Sequence, residues 1–144
     1  MTYPIDELEQ WQIGYIACMF DTEGSFSLIP RDRKNRSTRI QMNIKAQMVC
    51  ELTLRTLHQI TALGYITSAG TTSTGKQYWG WVISNPTEGS ILLRHILPKM
   101  ITKRKQAELM LEYCQRRIAG ILISLRDDKI VEEICYLNGR KQEV

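Results

Sequence analysis

Residues 13 to 20 read Ile-Gly-Tyr-Ile-Ala-Cys-Met-Phe, eight uncharged positions that run straight into Asp21 and Glu23 and then into Gly24. A helix over this stretch has no polar face, so it must be covered on every side. It is far short of the ~20 apolar residues of a membrane span, and its cover must therefore be protein. Gly14, Ala17 and Cys18 recur at spacings of three and four, a stripe of small side chains along which a second helix backbone can come close. The simplest second helix is the same one in another copy of the chain, which makes a homodimer the expected assembly. Two carboxylates at the carboxyl end of a helix oppose its dipole at a cost of about 0.3–1 kcal/mol, so a compensating cation is expected nearby. Gly24 reads as a positive-φ residue that turns the chain out of the helix.

The rest of the chain frames that helix. Its 144 residues are enough for one domain with its own core, read as 1–144 with 118–144 as a helical tail. The net charge of +4 weakly favours a polyanionic partner. The acidic start, Met1 to Glu7, lacks the basic region of a signal peptide, and no membrane span is present. Cys18, Cys50, Cys114 and Cys135 contain no C-x-x-C pair, which argues for reduced thiols in an intracellular protein over a zinc site.

Asp6 with Glu9 reads as the cap of the first helix, which carries Leu8, Trp11, Tyr15 and Met19 on one side. Ser25 to Ile29 alternates with period two, with Phe26 and Leu28 on one face and Ser25, Ser27 and Ile29 on the other, and Pro30 is expected to end the strand. Arg31, Arg33, Lys34, Arg36 and Arg39 then place five basic residues in nine positions. Along the next strand Ile40, Met42, Ile44 and Ala46 point one way, and Arg39, Gln41, Asn43, Lys45 and Gln47 point the other. An antiparallel ribbon with such a polar face fits the major groove of B-DNA, where Arg reads guanine and Gln or Asn reads adenine. A merely solvated face has the same alternation. The adjoining basic tip and the absence of any acid between Arg33 and Cys50 favour DNA, because a face built for solubility mixes both signs.

Residues 48 to 62 read as a helix closed by Gly64, followed by a second hairpin turning at Thr74-Gly75-Lys76. In it Trp79, Trp81 and Ile83 share a face and read as core, leaving Tyr78 and Gly80 on the ligand side with Thr67, Ala69 and Thr71. Thr87-Glu88-Gly89-Ser90 repeats Thr22-Glu23-Gly24-Ser25, but the preceding Asn85-Pro86 marks the start of a helix and not its end. The chain thus holds one acidic-motif helix, and a site that needs two requires a dimer. A long helix follows from Lys99 to Tyr113, with Ile101, Leu109 and Tyr113 as core candidates. A last helix runs from Leu125 to Leu137, with its charges read as a solvated face.

Ile16-Ala17-Cys18-Met19-Phe20-Asp21-Thr22-Glu23-Gly24 resembles the nine-residue signature of the LAGLIDADG homing endonucleases, with Cys18 standing where that family has glycine. The resemblance extends over roughly Asp6 to Arg117. It implies an α+β fold, an αββαββα protomer with an antiparallel β-sheet saddle for DNA and the acidic-motif helix at the dimer axis. It further implies a site-specific double-strand DNA endonuclease acting as a homodimer on a long pseudo-palindromic target. By the same resemblance Glu23 is the metal-binding acid, with Thr22 and Asp21 beside it, and Mg²⁺ is the cofactor, with Ca²⁺ or Mn²⁺ as substitutes. Gln47 positions the attacking water, and Lys103, in the Lys103-Arg104-Lys105-Gln106-Ala107 run, stabilises developing charge, with Lys99 and Lys105 as competitors. Ser27, Ile29, Arg31, Arg33, Lys34, Arg36, Arg39, Gln41, Asn43, Lys45, Thr67 and Tyr78 form the DNA-facing set, and Gly14, Ala17, Cys18 and Asp21 the dimer contact, with Asp21 read as holding either the helix end or that contact. The rival functions on the same scaffold are a maturase that binds its host intron RNA and a regulator that binds DNA without cutting. A plainer rival is a buried helix whose acids only cap and solvate its end.

Overall fold

In the computed structural model, which describes residues 2–31 and 39–139, four antiparallel strands carry their helices on one face. After a single 3-10 turn at Pro4–Glu7 the order is α1 (Gln10–Glu23), β1 (Gly24–Arg31), β2 (Arg39–Met48), α2 (Glu51–Thr61), β3 (Tyr65–Thr71) and β4 (Gln77–Ile83). There follow α3 (Pro86–Ile96), a short 3-10 turn, α4 (Arg104–Ile118) and α5 (Leu125–Gly139). The sheet order is β1-β2-β4-β3. The αββαββα plan is present, and α4 and α5 follow α3 as two further helices.

The strand parity expected from the sequence is the parity observed. Phe26, Leu28, Ile40, Met42, Ile44 and Ala46 are buried, while Ser25, Ile29, Gln41 and Arg39 are exposed on the other face. Strand β1 runs two residues past the expected stop, because Pro30, opposite Ile40, lies on an edge strand where its missing N–H costs no ladder bond. Trp81 anchors the core: its ring is 5.4 Å from that of Phe20, and its indole N–H donates to the Leu63 carbonyl at 2.8 Å. Trp79 lies on the same face, with the Arg55 guanidinium of α2 5.5 Å from its ring centre. Beyond Ser68 the second hairpin departs from expectation. A bulge between Ser68 and Gly70 sets Gly70 opposite Tyr78 and Thr71 opposite Gln77, so Thr71 is out of step with Thr67.

Other boundaries also move. The first helix starts at Gln10, with Glu9 and Gln12 forming the capping box, while Asp6 caps the preceding turn by accepting from the Tyr3 amide. Ala62, at φ 56, is the left-handed residue that closes α2. The Asn85 side chain accepts from the Glu88 amide at 2.8 Å, so the second Thr-Glu-Gly-Ser does open a helix. Ile101 is 86% exposed instead of core. In the expected solvated tail, Asp127 is fully buried between Arg116 and Arg117, each 3.1 Å from its Oδ1, and this ties α4 to α5. Ile130, Val131 and Ile134 of α5 join the same hydrophobic core as α1 and the sheet.

Candidate active site and nucleic-acid interface

Helix α1 delivers Glu23 to solvent at the point where the chain passes into β1. Thr22 beside it donates its hydroxyl back to the Cys18 carbonyl at 2.7 Å. Gly24 is not in the left-handed region: at φ −83 and ψ 162 its backbone is open to any residue. Glycine is needed for closeness, since a Cβ there would lie 2.4 Å from the Phe20 carbonyl oxygen.

Asp21 points the other way. It is 7% exposed, and its Oδ2 accepts from the amides of Ile101 at 3.1 Å and Thr102 at 3.0 Å, while Oδ1 accepts from Lys103 at 2.8 Å. Burial pushes its pKa up, but these three amides and the Lys103 ammonium outweigh that and hold the carboxyl below its ordinary value. With its lone pairs turned to these amides, Asp21 holds the end of α1 to the approach to α4, the first of the two roles expected of it, and leaves the dimer contact. Lys103 answers from the other side: its ammonium donates to the Gly24 carbonyl and, at 3.5 Å, to that of Thr22. This is the compensating cation that the acidic helix end calls for. Lys103 is buried at the amino end of α4 and is held at the Glu23 turn, whereas Lys99 and Lys105 are exposed.

Gln47 comes from β2. Gly24 pairs with Ala46 as the last rung of the β1–β2 ladder, so Glu23, ending α1, and Gln47, on the outer face of β2, each lie one residue beyond that rung. Across from it Gly80 leaves room: a Cβ there would come within 3.8 Å of the Gln47 Cγ and 3.5 Å of the Thr67 Cγ2. From this end the outer face continues through the pairs Ser25–Lys45, Ser27–Asn43, Ile29–Gln41 and Arg31–Arg39, with the Arg31 Nε donating to the Gln41 side chain at 3.2 Å. Thr67 and Tyr78 join this face from the second hairpin, and Tyr78 occupies space that a side chain on Gly70 would crowd. Arg33, Lys34 and Arg36 lie outside the described residues.

The small-residue stripe divides. Gly14 and Cys18 lie on the open side of α1, where a Cβ on Gly14 would meet nothing within 4 Å. They share that side with Trp11, 67% exposed, Tyr15, 50% exposed, and Thr22. Ala17 is fully buried in the protomer's own core, so it and Asp21 leave the expected dimer contact. Beside the open stripe a groove lined by Tyr15, Cys18, Met19, Met48 and Glu23 runs to the carboxylate. Asn138, unread in the sequence, donates to the Phe26 carbonyl at 2.8 Å and shares a pocket with Ser25 and Lys103.

No protein-family model and no curated protein matches the sequence. Solved structures do. An archaeal intron-encoded homing endonuclease, I-Vdi141I, complexed with DNA, superposes with a TM-score of 0.78 at 19% identity, over 90% of this chain and 86% of its own. The homing endonuclease I-CvuI, solved with its target in the presence of Ca, superposes with a TM-score of 0.72 at 15% identity, over 89% and 82% of the two chains. The LAGLIDADG homing endonuclease I-GzeII, in complex with a DNA target, gives 0.65 at 18% identity, covering 91% of this chain but 44% of its own. The four-stranded antiparallel sheet, the helices on one side of it and the acidic-motif helix running into β1 are those of the LAGLIDADG homing endonucleases, and this chain has their fold.

Proposed function

We propose that this chain is one half of a homodimeric, site-specific double-strand DNA endonuclease. The observation that carries the reading is the convergence at the α1–β1 junction: an exposed Glu23 and, on β2, Gln47, each one residue beyond the Gly24–Ala46 rung, with a Lys103 ammonium bonded to the carbonyls on both sides of Glu23. The open stripe of Trp11, Gly14, Tyr15, Cys18 and Thr22 supports pairing of two α1 helices, and the match to less than half of I-GzeII agrees with a two-copy assembly. Two-fold symmetry then implies a pseudo-palindromic target.

The donor chemistry fits a hard divalent cation. Among the described residues no group of three acidic, histidine or cysteine side chains is placed to hold a metal ion, so these residues of one chain form no closed metal cage. Mg²⁺ needs no such cage, because it keeps several waters and binds through one or two carboxylates plus phosphate oxygens. Glu23 from each protomer would supply those carboxylates, and their mutual repulsion is relieved by the positive charge. When bound, Mg²⁺ supplies Lewis-acid polarisation of the phosphodiester. The chain's own groups do the rest. Gln47 presents an amide that both donates and accepts and so can orient a water for in-line attack. Lys103 places fixed positive charge where negative charge develops on the phosphate oxygens. Ser27, Asn43, Gln41, Lys45, Thr67 and Tyr78 offer base-edge contacts, while Arg31 and Arg39 supply salt-dependent phosphate contacts. I-CvuI has been solved with DNA in the presence of Ca and, with the DNA not cleaved, of Mg.

The test is to select duplexes from a random library in Ca²⁺ and then add Mg²⁺ to the recovered pool. The expected result is enrichment of a two-fold-related sequence that is then cut on both strands. A palindrome bound but never cut moves the chain to the non-cleaving regulators, and affinity for structured RNA alone moves it to the maturases.

A further inference from the structure

A groove of about 570 Å³ lies at the margin of the sheet where β4 leaves it. The β2–β4 ladder starts at the pair Ile44–Ile83, so Arg39 to Asn43 extend past β4, and Ser84 and Pro86 border the gap. Arg31, Arg39 and Gln41 reach the groove from the outer face, Ile40 and Met42 from the core face, and Tyr113 and Arg117 from α4. It therefore wraps the edge of the ribbon, carrying the far end of the outer face round to α4.

Three guanidinium groups line this groove and, among the described residues, no carboxylate does. The acid bonded to Arg117, Asp127, is buried and already shared with Arg116, so it does not offset the charge of Arg31 and Arg39. The Arg117 side chain is 15% exposed, its guanidinium carbon sits 5.1 Å from the Tyr113 ring centre, and its Nε is a buried donor with no partner among the described residues. Arg117 thus has one edge on Asp127 and an unsatisfied Nε, and with Arg31 and Arg39 it surrounds the groove with positive charge that an anion would offset. Planar forks of N–H donors beside the Ser84 and Tyr113 hydroxyls suit a tetrahedral oxyanion, and phosphate above all.

We propose that this marginal groove is a phosphate-binding site, taking either a phosphodiester of the bound duplex or a free phosphate. For its nucleic-acid source the inference rests on the DNA-binding reading above. A ribbon in the major groove has phosphate backbones along its margins, so a donor cluster on the ribbon edge extends the phosphate contacts of Arg31 and Arg39 to Arg117 of α4.

The experiment has two arms. Inorganic phosphate titrated onto the free chain, at constant ionic strength with chloride as control, should give a saturating shift of the Arg117 Nε–H NMR signal. In the second arm Arg117→Gln should weaken binding evenly across target sequences and lower the log–log salt slope by about 1 per protomer, without changing which bases are preferred. Arg117→Lys should restore the slope, which a purely structural contact to Asp127 would not require. A saturating phosphate shift with an unchanged salt slope supports the site and assigns it to free phosphate. Phosphate and chloride behaving alike, with an unchanged slope in folded Arg117→Gln protein, overturns it. If Arg117→Gln does not fold, the wild-type titration decides alone. Because that arm uses no DNA, failure of the endonuclease reading leaves it intact.

Discussion

The Asp21 Oδ1 accepts from the Lys103 amide at 2.8 Å, and the Lys103 ammonium returns to the carbonyls of Thr22 and Gly24, one on each side of Glu23. The Asp21 carboxylate holds the Lys103 backbone across 82 positions of sequence, and the Lys103 ammonium holds the backbone just after Asp21. The rigidity of the Glu23 turn therefore belongs to a two-way clasp between α1 and α4, and neither helix provides it alone.

Asp21→Asn breaks one side of that clasp by setting an amide N–H₂ against backbone donors. It is expected to cost about 2–4 kcal/mol in urea unfolding near neutral pH and to slow cleavage by loosening Glu23. The folded-state pKa of Asp21 lies below its usual 3.8, so its contribution is fully present above that value and is lost as pH falls through the lower folded value. The stability gap between wild type and Asp21→Asn should hence narrow only below about pH 4. A gap that stays constant down to pH 2 would refute the charge-based account.

Glu23→Gln keeps the shape of the turn and removes the carboxylate. Cleavage in Mg²⁺ should fall below detection, while binding in Ca²⁺ survives within about tenfold. A variant that cuts at the parent rate would sink the metal-ligand assignment.

Gly14 tests the assembly without touching the protomer. Since its open side is empty, Gly14→Ala should leave the protomer folded and, in a helix interior, about 0.5–1 kcal/mol more stable. Gly14→Leu should shift sedimentation toward the monomer at micromolar concentration. Unchanged association in Gly14→Leu would place the interface elsewhere.

Thiol labelling reads the same surface. Burial pushes the Cys114 thiol up to about 12, so Cys114 should resist alkylation in the native protein. Cys18, Cys50 and Cys135 are exposed in the protomer. Dilution across the dimer transition should expose Cys18 to reagent and leave the Cys50 and Cys135 rates unchanged. Equal Cys18 labelling at all concentrations would contradict an α1–α1 contact.

Gly24→Ala should destabilise the chain by about 1–3 kcal/mol through crowding against Phe20, and should reduce cleavage more than a surface change of equal stability cost. Full activity in Gly24→Ala would show that the junction relaxes freely.

The parts legible in the sequence were those written in local periodicity. Residues alternating from Arg39 to Gln47 settle which side faces the core, because a strand's period is two whatever its neighbours are. The Asn85 cap was legible for a similar reason, since its partner Glu88 is three residues away. What could not be read depends on contacts distant in the chain. Whether Asp21 holds the helix end or a dimer contact is open until three amides from 101 to 103 arrive, and Ala17 looks like Gly14 until the sheet decides which side of α1 it covers. Asp127 reads as an exposed charge because its partners lie across the α4–α5 junction. The Ser68/Gly70 bulge inverted the parity of Thr71 with no signal beyond a glycine.

Helix α5 lies along β1, one border of the sheet, and Asn138 occupies the Phe26 carbonyl there. A bare strand border invites further strands to add on, the route by which sheets grow into aggregates. The bulge in β3 distorts the opposite border. With one border covered and the other bent, the sheet has no flat edge on which another chain can zip up. A chain cut before α5 should therefore keep its α1 face and yet precipitate, because the last helix serves as a guard rail along that border.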